Sequence, residues 1–162
     1  MEVRRGTDHS IKFRMLGEPP VQKRGWIAFC GVPGRGTAII YDPSSRDKRV
    51  YKEALVAAMT DLGLTTTIGT VPVPYFGQLT PVRLVVVFVC APPIHAVQPF
   101  PRKKDLDNMV KFVMDAFHGP LYLNDNAVVE ISSRKSFPAT SAHIGAWTDV
   151  EISTTIATTT SE

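Results

Sequence analysis

Residues 82–119 read VRLVVVFVCAPPIHAVQPFPRKKDLDNMVKFVMDAFHG, and the pattern changes twice within them. From Val82 to Ala91 every residue except Arg83 is apolar and half are β-branched, the composition of a central strand covered on both faces. From Ala91 to Pro101 there are prolines at 92, 93, 99 and 101, so the chain can be neither helix nor interior strand there. Met109, Phe112, Val113, Ala116 and Phe117 then recur at i, i+3, i+4, i+7 and i+8, one apolar face of a helix that Gly119-Pro120 ends. A buried strand, a proline-rich loop and an amphipathic helix therefore follow one another without a break.

Upstream, Ile11 to Leu16 alternates apolar and basic residues as a half-exposed strand does. Trp26–Phe29 and Ala38–Tyr41 are apolar stretches suited to a hairpin. Asp42 to Ser45 supplies N-cap candidates for a helix that places Tyr51, Leu55, Ala58 and Leu62 on one face, with Gly63 as its C-cap. Thr65 to Pro81 reads as a long connection. Downstream, Leu121–Leu123 reads as a short strand, Asn124-Asp125-Asn126 as a turn, and Val128–Lys135 and Trp147–Ile156 as strands. This order predicts one α+β domain, residues 1–156, with a mixed sheet and two main helices, followed by a polar tail at 157–162.

Composition agrees with a globular domain. Of the 162 residues 44% are hydrophobic and 20% charged, mean hydropathy is +0.02, and the net charge is +3 with a pI near 9.0. Such a balance permits a polyanionic partner without demanding one. The longest uninterrupted apolar run, Leu84 to Ala91, is far short of a membrane span, and the N-terminal residues lack the apolar core of a secretion signal. The expectation is an intracellular, cytoplasmic protein without membrane contact. Cys30 and Cys90 lie 60 apart without CxxC spacing and read as buried free thiols. His9, His95, His118 and His143 lack metal-ligand spacing.

The chemistry concentrates in Arg102-Lys103-Lys104-Asp105-Leu106-Asp107-Asn108. Residues two apart in a helix point about 200° apart, so Asp105 and Asp107 converge only from extended chain. A helix beginning just after Asp107 keeps both carboxylates at its edge, leaves Asp107 available as N-cap and points Leu106 into the core. Two carboxylates this close repel unless a cation lies between them, and all-oxygen donors suit Mg²⁺ or Mn²⁺, which fill their remaining positions with water and phosphate oxygens. Asp125 becomes a third carboxylate if the following strand runs beside the one leading to Asp105. Lys111 lies one turn below Asp107, leaning back toward it, where it can neutralise a phosphate, orient water or protonate a leaving oxygen. The plainer alternative is that the acids serve capping and the helix dipole, and that Lys111 pairs with Asp115 at i, i+4. Against it stands the adjacent basic cluster, which puts phosphate-binding charge next to metal-binding charge.

Arg102 to Lys135 resembles the RusA family of Holliday-junction resolvases. The matching residues are Arg102 to Asn108, Lys111, Asp115-Ala116, Leu123-Asn124-Asp125, Val128-Val129 and Lys135, with weaker agreement at Pro19-Pro20 and Tyr51-Lys52. The resemblance implies a homodimeric, Mg²⁺-dependent endodeoxyribonuclease, with Mn²⁺ able to substitute, that cuts four-way DNA junctions symmetrically in recombination and repair. It implies Asp105, Asp107 and Asp125 as metal ligands and Lys111 as the catalytic lysine. Where the family has two acids in the turn, this chain has Asn124 before Asp125. Arg102, Lys103, Lys104 and Lys135 are the expected DNA contacts, Lys135 with surface charge as the alternative. Arg46, Lys48, Arg49 and Lys52 flank a possible DNA path or are merely solvated. Phe100 reads as a packed loop anchor before a wedge between opened base steps. Two other readings stand beside the resolvase: a metal nuclease acting on flaps or other branched DNA, and a junction-binding protein with weakened catalysis. With the three aspartates committed to metal, 18 basic side chains face 12 acidic ones, a balance of +6 per chain.

Overall fold

The computed structural model describes residues 2–5, 10–18, 20–21, 26–30, 37–41, 43–68, 71–77, 79–92, 100–102, 104–139 and 145–155. Its strands are β1 (Glu2–Arg5), β2 (Ser10–Leu16), β3 (Trp26–Cys30), β4 (Thr37–Tyr41), β5 (Thr66–Ile68), β6 (Val71–Val73), β7 (Val82–Val89), β8 (Val128–Ser136) and β9 (Trp147–Thr154). Helix α1 (Ser45–Asp61) follows β4, and α2 (Leu106–Phe117) follows β7. One five-stranded sheet has the order β1-β2-β9-β7-β8, and β3-β4 and β5-β6 are separate hairpins. Every pairing in the large sheet is antiparallel except β7 with β8, so the sheet is mixed and the α+β expectation is met.

Alternation along the strands decides which face is covered. Ile11, Phe13 and Met15 of β2, Val82, Leu84, Val86 and Phe88 of β7, and Val150 and Ile152 of β9 join one core with Leu55 and Met59 of α1 and the apolar face of α2. Each large apolar side chain fully buried there contributes about 1.5–3 kcal/mol. Rings lock the layers: Phe13 tilts against Phe117 with centroids 5.4 Å apart, and Tyr51 meets Phe112 edge-on at 5.4 Å. All five residues picked from the helical period of α2 are buried.

The opposite face of β7 departs from the expectation of a doubly covered strand. Arg83 is exposed, and Val85 and Val87 are only partly covered. Ion pairs bridge neighbouring strands across this face: Lys12 to Glu151 at 3.1 Å, Arg14 to both oxygens of Asp149 at 2.7 and 2.8 Å, and Arg83 to Glu130 at 2.9 Å. Apolar β-branched residues supply β propensity here as well as burial.

Other differences are local. The face of α1 uses Met59, whereas Leu62 lies past the helix end and is 48% exposed. Gly63, at φ +66°, closes that end as expected, its N–H donating to Thr60 and that of Leu64 to Met59. Strands β5 and β6 pair antiparallel inside the expected connection, Thr66 opposite Val73. Leu121–Leu123 forms no strand, only a bridge between His118 and Tyr122, and the turn after it is a 3-10 turn, Asp125–Ala127. The β3-β4 hairpin pairs as expected, Ile27 opposite Ile40. Residues 156–162, and with them the expected tail, lie outside the described residues, as do Pro19 and His9, His95 and His143. The side chains of Trp26 and Cys30 also lie outside them, while Cys90 is a buried free thiol.

Candidate active site

Parallel pairing of β7 and β8 builds the site. Both strands run toward the same end, in the register Leu84–Ile131 through Val89–Ser136. The connection between them carries α2, whose apolar face seats on the sheet and leaves one polar edge along β8. Asp107, Lys111 and Asp115 fall at i, i+4 and i+8 on that edge. They line an open cleft of about 600 Å³ with Leu106, Val110 and Met114 of the helix, Ser133 of β8, and Asp125 of the 3-10 turn. Asp107, Lys111 and Asp125 therefore converge, because the strand after Asp125 runs beside the strand leading to Asp105.

Asp105 is placed differently from the expectation. The helix begins at Leu106, two residues earlier than the acidic pair suggested, so Asp105 takes the N-cap position with extended backbone (φ −74°, ψ 133°) and Asp107 sits within the first turn. Asp107 is thus not the N-cap, and the Asp105 side chain makes no capping hydrogen bond. The Asp105 carboxylate is exposed and does not line the cleft. Leu106 packs partly against the core, as its position between the two acids required.

Asp115 organises the floor of the cleft. Its Oδ2 accepts from Lys48 Nζ of α1 at 2.6 Å, and its Oδ1 lies 3.6 Å from Lys111 Nζ. The i, i+4 pairing considered for Lys111 is therefore present, inside the same cleft as Asp107. Lys48, considered for a DNA path, is instead part-buried against α2, and Arg49 pairs with Glu53 at 3.7 Å. Tyr122 lies beneath: its hydroxyl donates to the Met114 carbonyl at 2.9 Å. Burial first, then the charges of Asp125 and Asp115, push its phenol above the usual tyrosine range.

Asn124 has a local function. Its Oδ1 accepts from the Asn126 N–H at 3.0 Å and caps the 3-10 turn that presents Asp125. The turn thus holds one carboxylate for the cleft.

The expected DNA contacts separate into two kinds. Arg102 is exposed, its guanidinium 5.3 Å above the ring of Phe100, which is itself 48% exposed and not a packed anchor. Lys104 Nζ lies 3.2 Å from Glu18 Oε2, and Lys135 Nζ donates to the Lys104 backbone carbonyl. Lys135 therefore holds the chain ahead of Asp105. Lys103 lies outside the described residues.

A family comparison falls on the segment that builds the cleft. Residues 78–146, somewhat under half of the chain, match the family Endodeoxyribonuclease RusA. This segment is RusA-like. The RusA segment starts just before β7 and stops just before β9, so it contains every residue lining the cleft. No curated protein matches the chain.

The RusA match brings a divalent cation into question, and the donor chemistry can be tested. Among the described residues no three Asp, Glu, His or Cys side chains form a ready-made metal cage. Asp107 and Asp125 do share one open cleft, and one or two carboxylates completed by water and phosphate oxygens are the usual holding for Mg²⁺. The residues present fit such an ion. Ser133 is new to the cleft, Asp115 joins it as the partner of Lys111, and Glu18, outside the cleft, meets Lys104. Only Asp115 had a sequence signal, its spacing of four from Lys111.

Proposed function

We propose that the protein is a Mg²⁺-dependent, structure-selective endodeoxyribonuclease that cuts four-way DNA junctions as a homodimer, acting inside the cell in recombination and repair. One observation carries the reading: the cleft that gathers Asp107, Lys111 and Asp125 lies wholly within the RusA-like segment. Asp107 and Asp125 would hold the cation, with Asp105 at the helix edge as the third carboxylate. Mn²⁺ would serve in place of Mg²⁺. When bound, such an ion neutralises phosphoryl charge and lowers the pKa of a bound water.

The chain's own residues supply the rest. Lys111, at the cleft mouth and 61% exposed along its side chain, neutralises a phosphate oxygen as the strand settles. Asp115 holds that ammonium near the acids. Arg102, with Phe100 beneath it, presents a cation and an apolar ring on the approach to the cleft. Phosphate contacts give affinity, and branched shape gives selectivity. A two-fold dimer would put one cleft at each of the two symmetry-related strands of a junction.

The test is cleavage of a synthetic four-way junction beside a flap and a linear duplex, with and without Mg²⁺. The reading predicts paired symmetric nicks in the junction only with the cation, from a protein that elutes as a dimer. Preference for the flap would make it a different branched-DNA nuclease. Junction binding without cutting in either Mg²⁺ or Mn²⁺ would favour the binding protein that Asn124 brings to mind.

A further inference from the structure

We propose that Glu18 is a positioning residue: its single carboxylate ties together the two ends of the β7–α2 connection and so sets where the acidic edge of α2 sits. The proposal rests on the nuclease reading for its functional consequence and on geometry alone for the clamp. Glu18 Oε1 accepts from the Ala91 N–H at 3.0 Å, where the chain leaves β7. Glu18 Oε2 lies 3.2 Å from Lys104 Nζ, immediately before Asp105. The start and the end of a long proline-rich connection thus meet on one side chain.

Two neighbours complete the arrangement. Lys135 reaches over from β8 to the Lys104 carbonyl, and the Cys90 N–H donates to the Ser136 carbonyl at 2.9 Å, extending the β7–β8 ladder to the same point. Glu18 can reach this point because Gly17, at φ +103°, turns the chain after β2, while the Gly17 N–H bonds the Ala146 carbonyl at 2.9 Å. Strands β2, β7 and β8 therefore all contribute to fixing the residue before Asp105. Closing a loop of this length costs entropy that a point contact at its base offsets, and the ends are where a tie acts on the position of α2. Lys104 and Lys135, two of the four expected DNA-binding cations, are thereby committed to shaping the site.

Two variants separate the parts of the clamp. Glu18→Gln keeps an acceptor for the Ala91 N–H but loses the charge facing Lys104; Glu18→Ala loses both. Amide exchange at Ala91 should accelerate about tenfold in Glu18→Ala and little in Glu18→Gln, with the melting temperature nearly unchanged. The Mg²⁺ concentration for half-maximal junction cutting should rise about tenfold in Glu18→Ala, with KM for the junction nearly constant. Adding Lys104→Met to Glu18→Ala should change little further, because the two act as one unit. Unchanged exchange at Ala91 overturns the clamp. Faster exchange with an unaltered Mg²⁺ requirement overturns its effect on the site. A wild-type protein that cuts no branched DNA defeats the nuclease reading instead, and the exchange measurement still judges the clamp.

Discussion

Asp115 accepts two ammonium groups from two helices, and the distances assign them different work. The 2.6 Å contact with part-buried Lys48 joins α1 to α2, whereas the 3.6 Å contact with the more exposed Lys111 restrains a side chain at the cleft mouth. Asp115→Asn should cost about 1–2 kcal/mol in a chemical melt, between the values for exposed and buried pairs. It should also slow junction cutting about tenfold, by freeing Lys111 from its position. Lys48→Met should reproduce the stability loss with a smaller rate effect, and equal rate effects would make Asp115 structural only. At this scale the sequence was informative where spacing encodes a face: Asp107, Lys111 and Asp115 are four apart. It was silent on Glu18, which meets Lys104 through a contact 86 residues away in the chain. The same limit applies to Lys135, whose bond to the Lys104 carbonyl spans 31 residues and leaves no periodic trace.

At the scale of elements, α2 was legible because its apolar period is unbroken, and its start was misplaced because an acidic pair suits both an extended edge and a first helical turn. The β5-β6 hairpin was hidden by prolines and glycines that turns and short edge strands share. The β7 run concealed an open face, since β-branched residues occur on either side of a strand. The C-terminal turn of α2 is held by Tyr122, whose hydroxyl bonds the Met114 carbonyl. That phenol is raised by burial, so the native chain keeps the proton after the unfolded chain begins to lose it near pH 10. The unfolded state then binds fewer protons than the native state, and stability falls as pH rises through that range. Cys90, raised first by burial and then by Glu18, contributes the same sign from lower pH. Urea melts between pH 8 and 11 should show this alkaline decline. Tyr122→Phe should lose about 1 kcal/mol at neutral pH and decline less steeply above pH 10. An unaltered slope would mean that the hydroxyl does not titrate across unfolding.

For the whole molecule, a sheet covered on one side by two helices places its acidic cleft where the parallel pair β7–β8 meets α2. The modest net charge of +3 includes Asp105, Asp107 and Asp125, without which 18 basic side chains face 12 acidic ones. Mixed topology was legible from the order of elements, but the sheet order β1-β2-β9-β7-β8 was not, since non-local pairing leaves no periodic trace. The adjacency of β7 and β8 is what turns separate acids into a site. Asp107 lies in the cleft, within the RusA-like segment and beside Lys111, so it bears the central claim. The decisive measurement is cutting and binding of one four-way junction by wild type and Asp107→Asn, side by side at the same Mg²⁺ concentration. The account predicts that cutting falls about 10³-fold or more while junction affinity stays within a few-fold of wild type. An Asp107→Asn protein that cuts the junction at the wild-type rate would contradict it.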